Sequence, residues 1–251
     1  MDGTGRKRQT RTPGRNLTRD MLDAVGRDIV VGAYDGAAFP TEAELTRRYG
    51  VSRSVTREAM KMLAAKGLLT ARPRQGTSVT PQETWNLSDP DVLRWMLERT
   101  FNLQLLVHFS QLRAAVEPAA AALAAKAADP SHLAAIRAGF ARMEAADRGE
   151  DDALDSDIAF HVAILNASGN PFFVQFRDLV SAALRSSIRF TNRIAGHSAS
   201  LPAHAAVMHA IEARDAAGAR AAMAAIIDDV LDLIQGARGA QARELAAADA
   251  A

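Results

Sequence analysis

Between residues 17 and 34 the apolar positions Met21, Leu22, Val25, Ile29 and Val30 recur at the spacing of one buried helical face. A shorter helix follows over 41–50. Thr41 is placed to cap it, Glu44 stands three residues on in the capping-box position, and Gly50 ends it. Residues 51–69 then read as a second capped helix, with Ser52 as N-cap, an apolar stripe of Val55, Ala59, Met62 and Leu63, and Gly67 as the stop. Arg53, Ser54, Arg57 and Lys61 take its N-terminal end and its other side. Two helices joined tightly at Gly50-Val51 form a helix-turn-helix pattern. Strand-like runs at 68–72 and 77–80 flank Pro73-Arg74-Gln75-Gly76, which predicts a hairpin with a basic tip. Three helices and such a wing predict a winged helix-turn-helix over 17–80.

After residue 90 the periodicity is helical throughout. Helices are expected over 103–128, 130–148, 152–167, 171–194, 201–214 and 215–235. The short breaks at 200–202 and 214–216 imply antiparallel neighbours. Residues 81–90, bounded by two prolines, read as a hinge, and Trp85 and Trp95, the only tryptophans, as packing between domains. The expected plan is therefore mainly α. It comprises a disordered basic arm (1–16), the winged domain (17–80), a hinge (81–90), an all-helical effector-binding and dimerisation domain (91–238) and a frayed tail (239–251).

Composition narrows the chemistry. The chain has 251 residues, room for two domains, and no cysteine, which excludes disulfides, thiolate metal sites and thiol catalysis. No apolar run approaches the roughly 20 residues of a membrane span, and no apolar stretch follows the basic start as in a secretory signal. A cytoplasmic protein without membrane contact is expected. The net charge of +1 conceals a division. Residues 1–80 carry 15 Lys/Arg against 8 Asp/Glu, and the remainder 15 against 21. Only the first part is suited to meet a polyanion.

On its own a charged helix face is as often a solvated face as a DNA-reading one. The order of the parts decides more. The stretch "FPTEAELTRRYGVSRSVTREAMKMLAAKGLLTARPRQGTSV" resembles the DNA-binding domain of the GntR family of bacterial transcription regulators. The resemblance implies contacts to double-stranded DNA from Ser52, Arg53, Ser54 and Arg57 on the recognition helix and from Gly76 at the wing, within a homodimer. Ala43 stands where many members carry Arg between two acidic residues, so a contact made there by others is missing.

Farther on, "QLRAAVEPAAAALAA", "DSDIAFHVAILNASGNPFF" and "AHAAVMHAIEARDAAGARAAM" resemble, in order, the FCD effector-binding domain of the FadR-type subfamily. "WNLSDPDVLRWMLER" resembles a subgroup that controls sugar-acid catabolism, such as that of D-galactonate.

By spacing alone, Asp157 and His161 share one helical face and make either one edge of a metal site, a plain Asp–His pair or a chance neighbourhood on the surface. Arg113 and Glu117, one turn apart, read as an intrahelical ion pair. His204 opens a later helix, and His209, five on, lies off its face. The FCD resemblance adds roles to these residues. It makes Asp157, His161 and His204 ligands of a divalent metal such as zinc, with Ile226 where a fourth histidine ligand would stand. It turns Arg113 toward an effector carboxylate. Asn192 is a further candidate for hydrogen bonds to effector hydroxyls. The expected function is a repressor of a catabolic operon, released by a small sugar acid, an aldonate such as galactonate or gluconate. The alternatives are the same regulator answering to another small carboxylate, or a metal-dependent hydrolase using Asp157, His161 and His204.

Overall fold

The first helix, α1 (Leu17–Val30), buries Met21, Leu22, Val25, Ile29 and Val30, the face that the periodicity predicts. Asn16 caps it by accepting from the Arg19 N–H, so this residue closes the helix start and is not part of an arm. The structure is a computed structural model that describes residues 16–72, 76–99, 103–182, 184–185 and 199–249. The rest of the basic arm, the wing tip at 73–75, most of 183–198 and the last two residues lie outside the described residues, and Asn192 is among them.

Helix α2 (Glu42–Tyr49) begins with the predicted capping box between Thr41 and Glu44. It ends at Gly50, whose φ of 62° lies in the left-handed region that glycine adopts without a Cβ penalty. Helix α3 (Arg53–Ala65) starts at Ser52, whose hydroxyl accepts from the Val55 N–H. Its buried stripe is Thr56, Ala59, Met60 and Leu63, not the predicted Val55, Ala59, Met62 and Leu63. The difference is a rotation of the helix driven by a polar residue. Thr56 can be buried because its hydroxyl bonds the Ser52 carbonyl and the Thr46 hydroxyl of α2. Strands β1 (Leu69–Arg72) and β2 (Gly76–Val79) pair antiparallel with Leu69 opposite Val79 and Arg72 opposite Gly76.

The chain divides into two compact units, 1–99 and 100–251. The two prolines predict a hinge at 81–90 and a second domain from residue 91; the packing is different. Residues 82–84 form a 3-10 turn, Trp85 is buried with its indole N–H on the Thr80 carbonyl, and the Asn86 N–H binds the Lys66 carbonyl. Helix α4 (Pro90–Arg99) packs on α1. Trp95 is fully buried against Gly26, where a Cβ would lie 2.4 Å from the indole ring. Both tryptophans therefore have their packing partners within the first unit, Thr80 for Trp85 and Gly26 for Trp95. Charges bind the same element: Lys66 contacts Asp89 at 2.7 Å and Asp91 at 2.9 Å, Arg19 pairs with Asp91, and Arg94 reaches Asp23 at 2.6 Å.

The described elements of the second unit are helices: α5 (Leu103–Ala127), α6 (Pro130–Asp147), α7 (Ala153–Ala167), α8 (Pro171–Gln175), α9 (Leu201–Glu212) and α10 (Ala216–Asp249). Helical residues resume at 177 after a break at Phe176, so the predicted single helix from 171 is interrupted there. Helix α10 runs on through Gly236 and Gly239 to Asp249, past the point where fraying is expected. The Ala-rich α5 packs along α10 and α7, with α6 against α7 and α9. Ala120, Ala124, Phe160, Ile164, Ile211 and Ile227 belong to the shared core. The small alanines let helix axes approach closely, so the few polar groups inside are confined to set positions. Among the described residues no helix is long and apolar enough to cross a membrane.

Candidate functional site

Two sets of residues carry candidate chemistry, one in each unit. In the first, the buried stripe of α3 leaves Ser52, Arg53, Ser54 and Arg57 exposed around its N-terminal end. The Ser52 and Ser54 hydroxyls lie 2.8 Å apart. Arg57 is 65% exposed and stands 3.7 Å from Glu42 of α2, a loose pair that water screens well. Gly76 opens β2 with φ of 83° and is exposed. Ala43 is exposed too, so the side chain missing there leaves a short surface on α2. A helix end bearing hydroxyls and guanidinium groups, backed by an apolar face and flanked by a hairpin, is shaped to enter a major groove.

In the second unit, Arg113, Glu117, Asp157, His161 and His204 are each at most 4% exposed. Helix α5 supplies Arg113 and Glu117, α7 supplies Asp157 and His161, and α9 supplies His204. Ser200 caps α9 and fixes His204 through its carbonyl, 2.8 Å from Nδ1. The Nε2 atoms of His161 and His204 lie 3.4 Å apart, and they stand 3.8 Å and 3.1 Å from Asp157 Oδ1. His209 is exposed, as its position off the face requires.

The hydrogen bonds around this cluster set its electronics. His161 Nδ1 meets Glu117 Oε2 at 2.5 Å, and a carboxylate only accepts, so Nδ1 carries the proton. His204 Nδ1 likewise donates to the Ser200 carbonyl. Each ring then turns Nε2 toward Asp157 Oδ1, a buried oxygen that has no donor wherever both rings are neutral. Where the rings are neutral, three acceptors converge there; a proton on a ring, or a metal ion, supplies the missing positive charge. Such an arrangement is costly in an apolar interior unless a cation neutralises it. The separations also suit one: ligand atoms about 2.0–2.1 Å from a tetrahedral zinc would lie about 3.3 Å from one another. The residues present therefore fit a divalent metal held on one face by three ligands. Ile226 is buried in the hydrophobic core and brings no fourth.

Arg113 donates from Nε and Nη2 to the two oxygens of Glu117, at 2.5 Å and 3.3 Å. The intrahelical pair that the spacing allows is thus formed, but it is buried, and its carboxylate also holds His161. Burial would raise the Glu117 pKa; the charges and hydrogen bonds of Arg113 and His161 outweigh it and hold the carboxyl down at about 2. Burial likewise opposes ionisation of Asp157, yet His161, His204 and Arg113 keep its carboxyl below the usual range. Sequence reasoning paired Glu117 with Arg113 alone. Its bond to His161, 44 positions away, has no local signature.

A winged helix-turn-helix joined to a helical unit with a buried polar cluster is the plan of a DNA-binding transcription regulator. Residues 18–79 match the model of bacterial regulatory proteins of the gntR family, and residues 108–229 that of the FCD domain. The chain belongs to the GntR family and carries an FCD domain. It is 33% identical over 217 residues to the galactonate operon transcriptional repressor of Escherichia coli K12, covering 84% of this chain and 94% of the relative. With an uncharacterized HTH-type transcriptional regulator of the same organism, YieP, it shares 35% over 218 residues, 85% and 93% of the two chains. A solved structure titled for Lar, which controls the Listeria monocytogenes agr system, matches with a TM-score of 0.61. At 16% identity over 89% of this chain and 99% of that one, this is a likeness of fold. The family and these relatives are regulators, not enzymes, and the hydrolase alternative falls.

Proposed function

We propose that the protein represses a catabolic operon and leaves its operator when a small sugar acid, an aldonate such as galactonate or gluconate, enters the helical unit. Two copies related by a two-fold axis bind a short pseudo-palindrome through Ser52, Arg53, Ser54, Arg57 and Gly76 of each chain. In the helical unit, Asp157, His161 and His204 hold a divalent metal, zinc by its preference for nitrogen and oxygen ligands in a small cage. Such an ion, held by one carboxylate and two neutral imidazoles, keeps positive charge and open positions for a carboxylate or hydroxyl oxygen. Arg113 adds a guanidinium whose Nη1 is not committed to Glu117, and Asn192 a hydrogen bond to a hydroxyl.

The observation that carries the reading is the burial of this charged cluster inside an otherwise apolar helical core, an arrangement typical of ligand sites. The 33% identity to a protein named for the galactonate operon favours an aldonate. A relative named as a putative L-lactate dehydrogenase operon regulatory protein, 31% identical over 199 residues, favours the second reading, another small hydroxy acid. The test is operator binding by the metal-loaded protein in fluorescence anisotropy, with aldonates and lactate added in turn. An aldonate should weaken operator binding roughly 5–150-fold, the range of ordinary allosteric coupling. Release by lactate alone would select the second reading, and release by neither would reject both.

A further inference from the structure

Among the described residues, Glu117 is the one group hydrogen-bonded both to Arg113 and to a ligand of the metal cluster. We infer that Glu117 is the positioning residue of the metal site: its carboxylate holds His161 as the Nδ1–H tautomer and so leaves Nε2 free for the ion. The inference rests on the metal reading given above.

Three N–H groups converge on Glu117: Arg113 Nε on Oε1, and Arg113 Nη2 and His161 Nδ1 on Oε2. All belong to side chains at most 2% exposed, so water cannot replace a missing acceptor. A carboxylate offers two acceptor oxygens and satisfies all three donors. Glutamine offers one oxygen and an amide that only donates. Whichever way that amide turned, an N–H would face an N–H. Where the amide nitrogen faced His161, the ring would have to accept at Nδ1 and carry its proton on Nε2, the atom nearest His204 and Asp157. The other histidine differs. His204 is oriented by the Ser200 main-chain carbonyl, which no side-chain substitution removes. Glu117 is therefore the side chain through which the orientation of a ligand can be altered without touching a ligand. Removing such outer partners of a metal-bound histidine commonly weakens metal binding about 10–100-fold.

The experiment compares full-length wild type, Glu117→Gln and Asp157→Ala by zinc titration against a chromophoric chelator, with circular dichroism as the control for folding. Wild type should bind one zinc per chain, Asp157→Ala should lose it, and Glu117→Gln should remain folded and bind roughly 10–100-fold more weakly. With cobalt in place of zinc, the visible spectrum of Glu117→Gln should also differ from that of wild type. A second measurement needs no variant: long-range proton–nitrogen NMR of metal-free wild type should show His161 protonated on Nδ1. If Glu117→Gln binds zinc within about twofold of wild type while Asp157→Ala does not bind, the role of Glu117 is wrong and the metal reading stands. His161 protonated on Nε2 alone in metal-free wild type would overturn it as well, even if the variant failed to fold. Wild type without zinc affinity, or Asp157→Ala binding as wild type does, would remove the metal reading and this inference with it.

Discussion

Replacing Arg57 by alanine should separate DNA recognition from stability. The side chain is 65% exposed, and its only described ion pair, at 3.7 Å, is with Glu42, itself 48% exposed. Exposed pairs of this kind contribute about 0–1 kcal/mol, and Arg57 is not in the buried stripe of α3, so the melting temperature should scarcely move. Contact with a base is another matter. A bidentate arginine contact discriminates by about 1–3 kcal/mol, which at about 1.4 kcal/mol per decade is a loss of roughly 5–150-fold in operator affinity. The assay is anisotropy of a labelled operator and of an unrelated duplex of equal length, at one salt concentration. If Arg57 reads a base, Arg57→Ala should narrow the ratio between the two duplexes. If it only touches phosphate, both affinities should fall together. Arg137→Ala, which removes an exposed guanidinium paired with Glu212 in the helical unit, is the control for loss of charge and should leave both affinities nearly unchanged. Arg53→Ala should behave as Arg57→Ala does. Operator affinity within about twofold of wild type in both variants would refute the placement of the α3 N-terminus in the groove.

Three further outcomes are expected. Gly26→Ala should drive a methyl group into the Trp95 ring and destabilise the first unit by about 1–3 kcal/mol, read as a lowered denaturation midpoint; an unchanged midpoint would mean that α4 is not docked there. Asp91 is partly desolvated, which raises its pKa, but Lys66 and Arg19 more than offset this and hold it below 3.8. Its folded-state pKa being the lower, it contributes stability above the unfolded value that is lost as pH falls through the folded one. Asp91→Asn should therefore melt lower than wild type at neutral pH, and the gap should close in acid; a gap independent of pH would exclude ionisation of Asp91 as its source. Finally, Arg113→Ala strands the buried Glu117 charge and should cost about 3–5 kcal/mol, so Arg113→Lys, which keeps the charge without the planar fork, is the variant in which to look for operator binding with a weakened effector response.

What the sequence determined by itself is what local physics controls. Thr41 with Glu44, Ser52 and Gly50 mark helix ends because capping joins residues within one turn, and all three appear where they were expected. The α1 stripe is legible because burial of a helix face leaves a 3.6-residue period. Asp157 and His161 share a face for the same reason. Tertiary structure decided what depends on contacts across long stretches of chain. The Thr46–Thr56 bond turned α3 so that a hydroxyl, not Val55, is buried. Arg19 and Asp91, 72 positions apart, with Trp95 on Gly26, carried α4 into the first unit, whereas Pro81 and Pro90 had marked a hinge. His204 came within 3.4 Å of His161, and Glu117 within 2.5 Å, across 43 and 44 positions. Such pairs leave no period in the sequence. They form because a polar group denied water must find its partner wherever the packed helices place one.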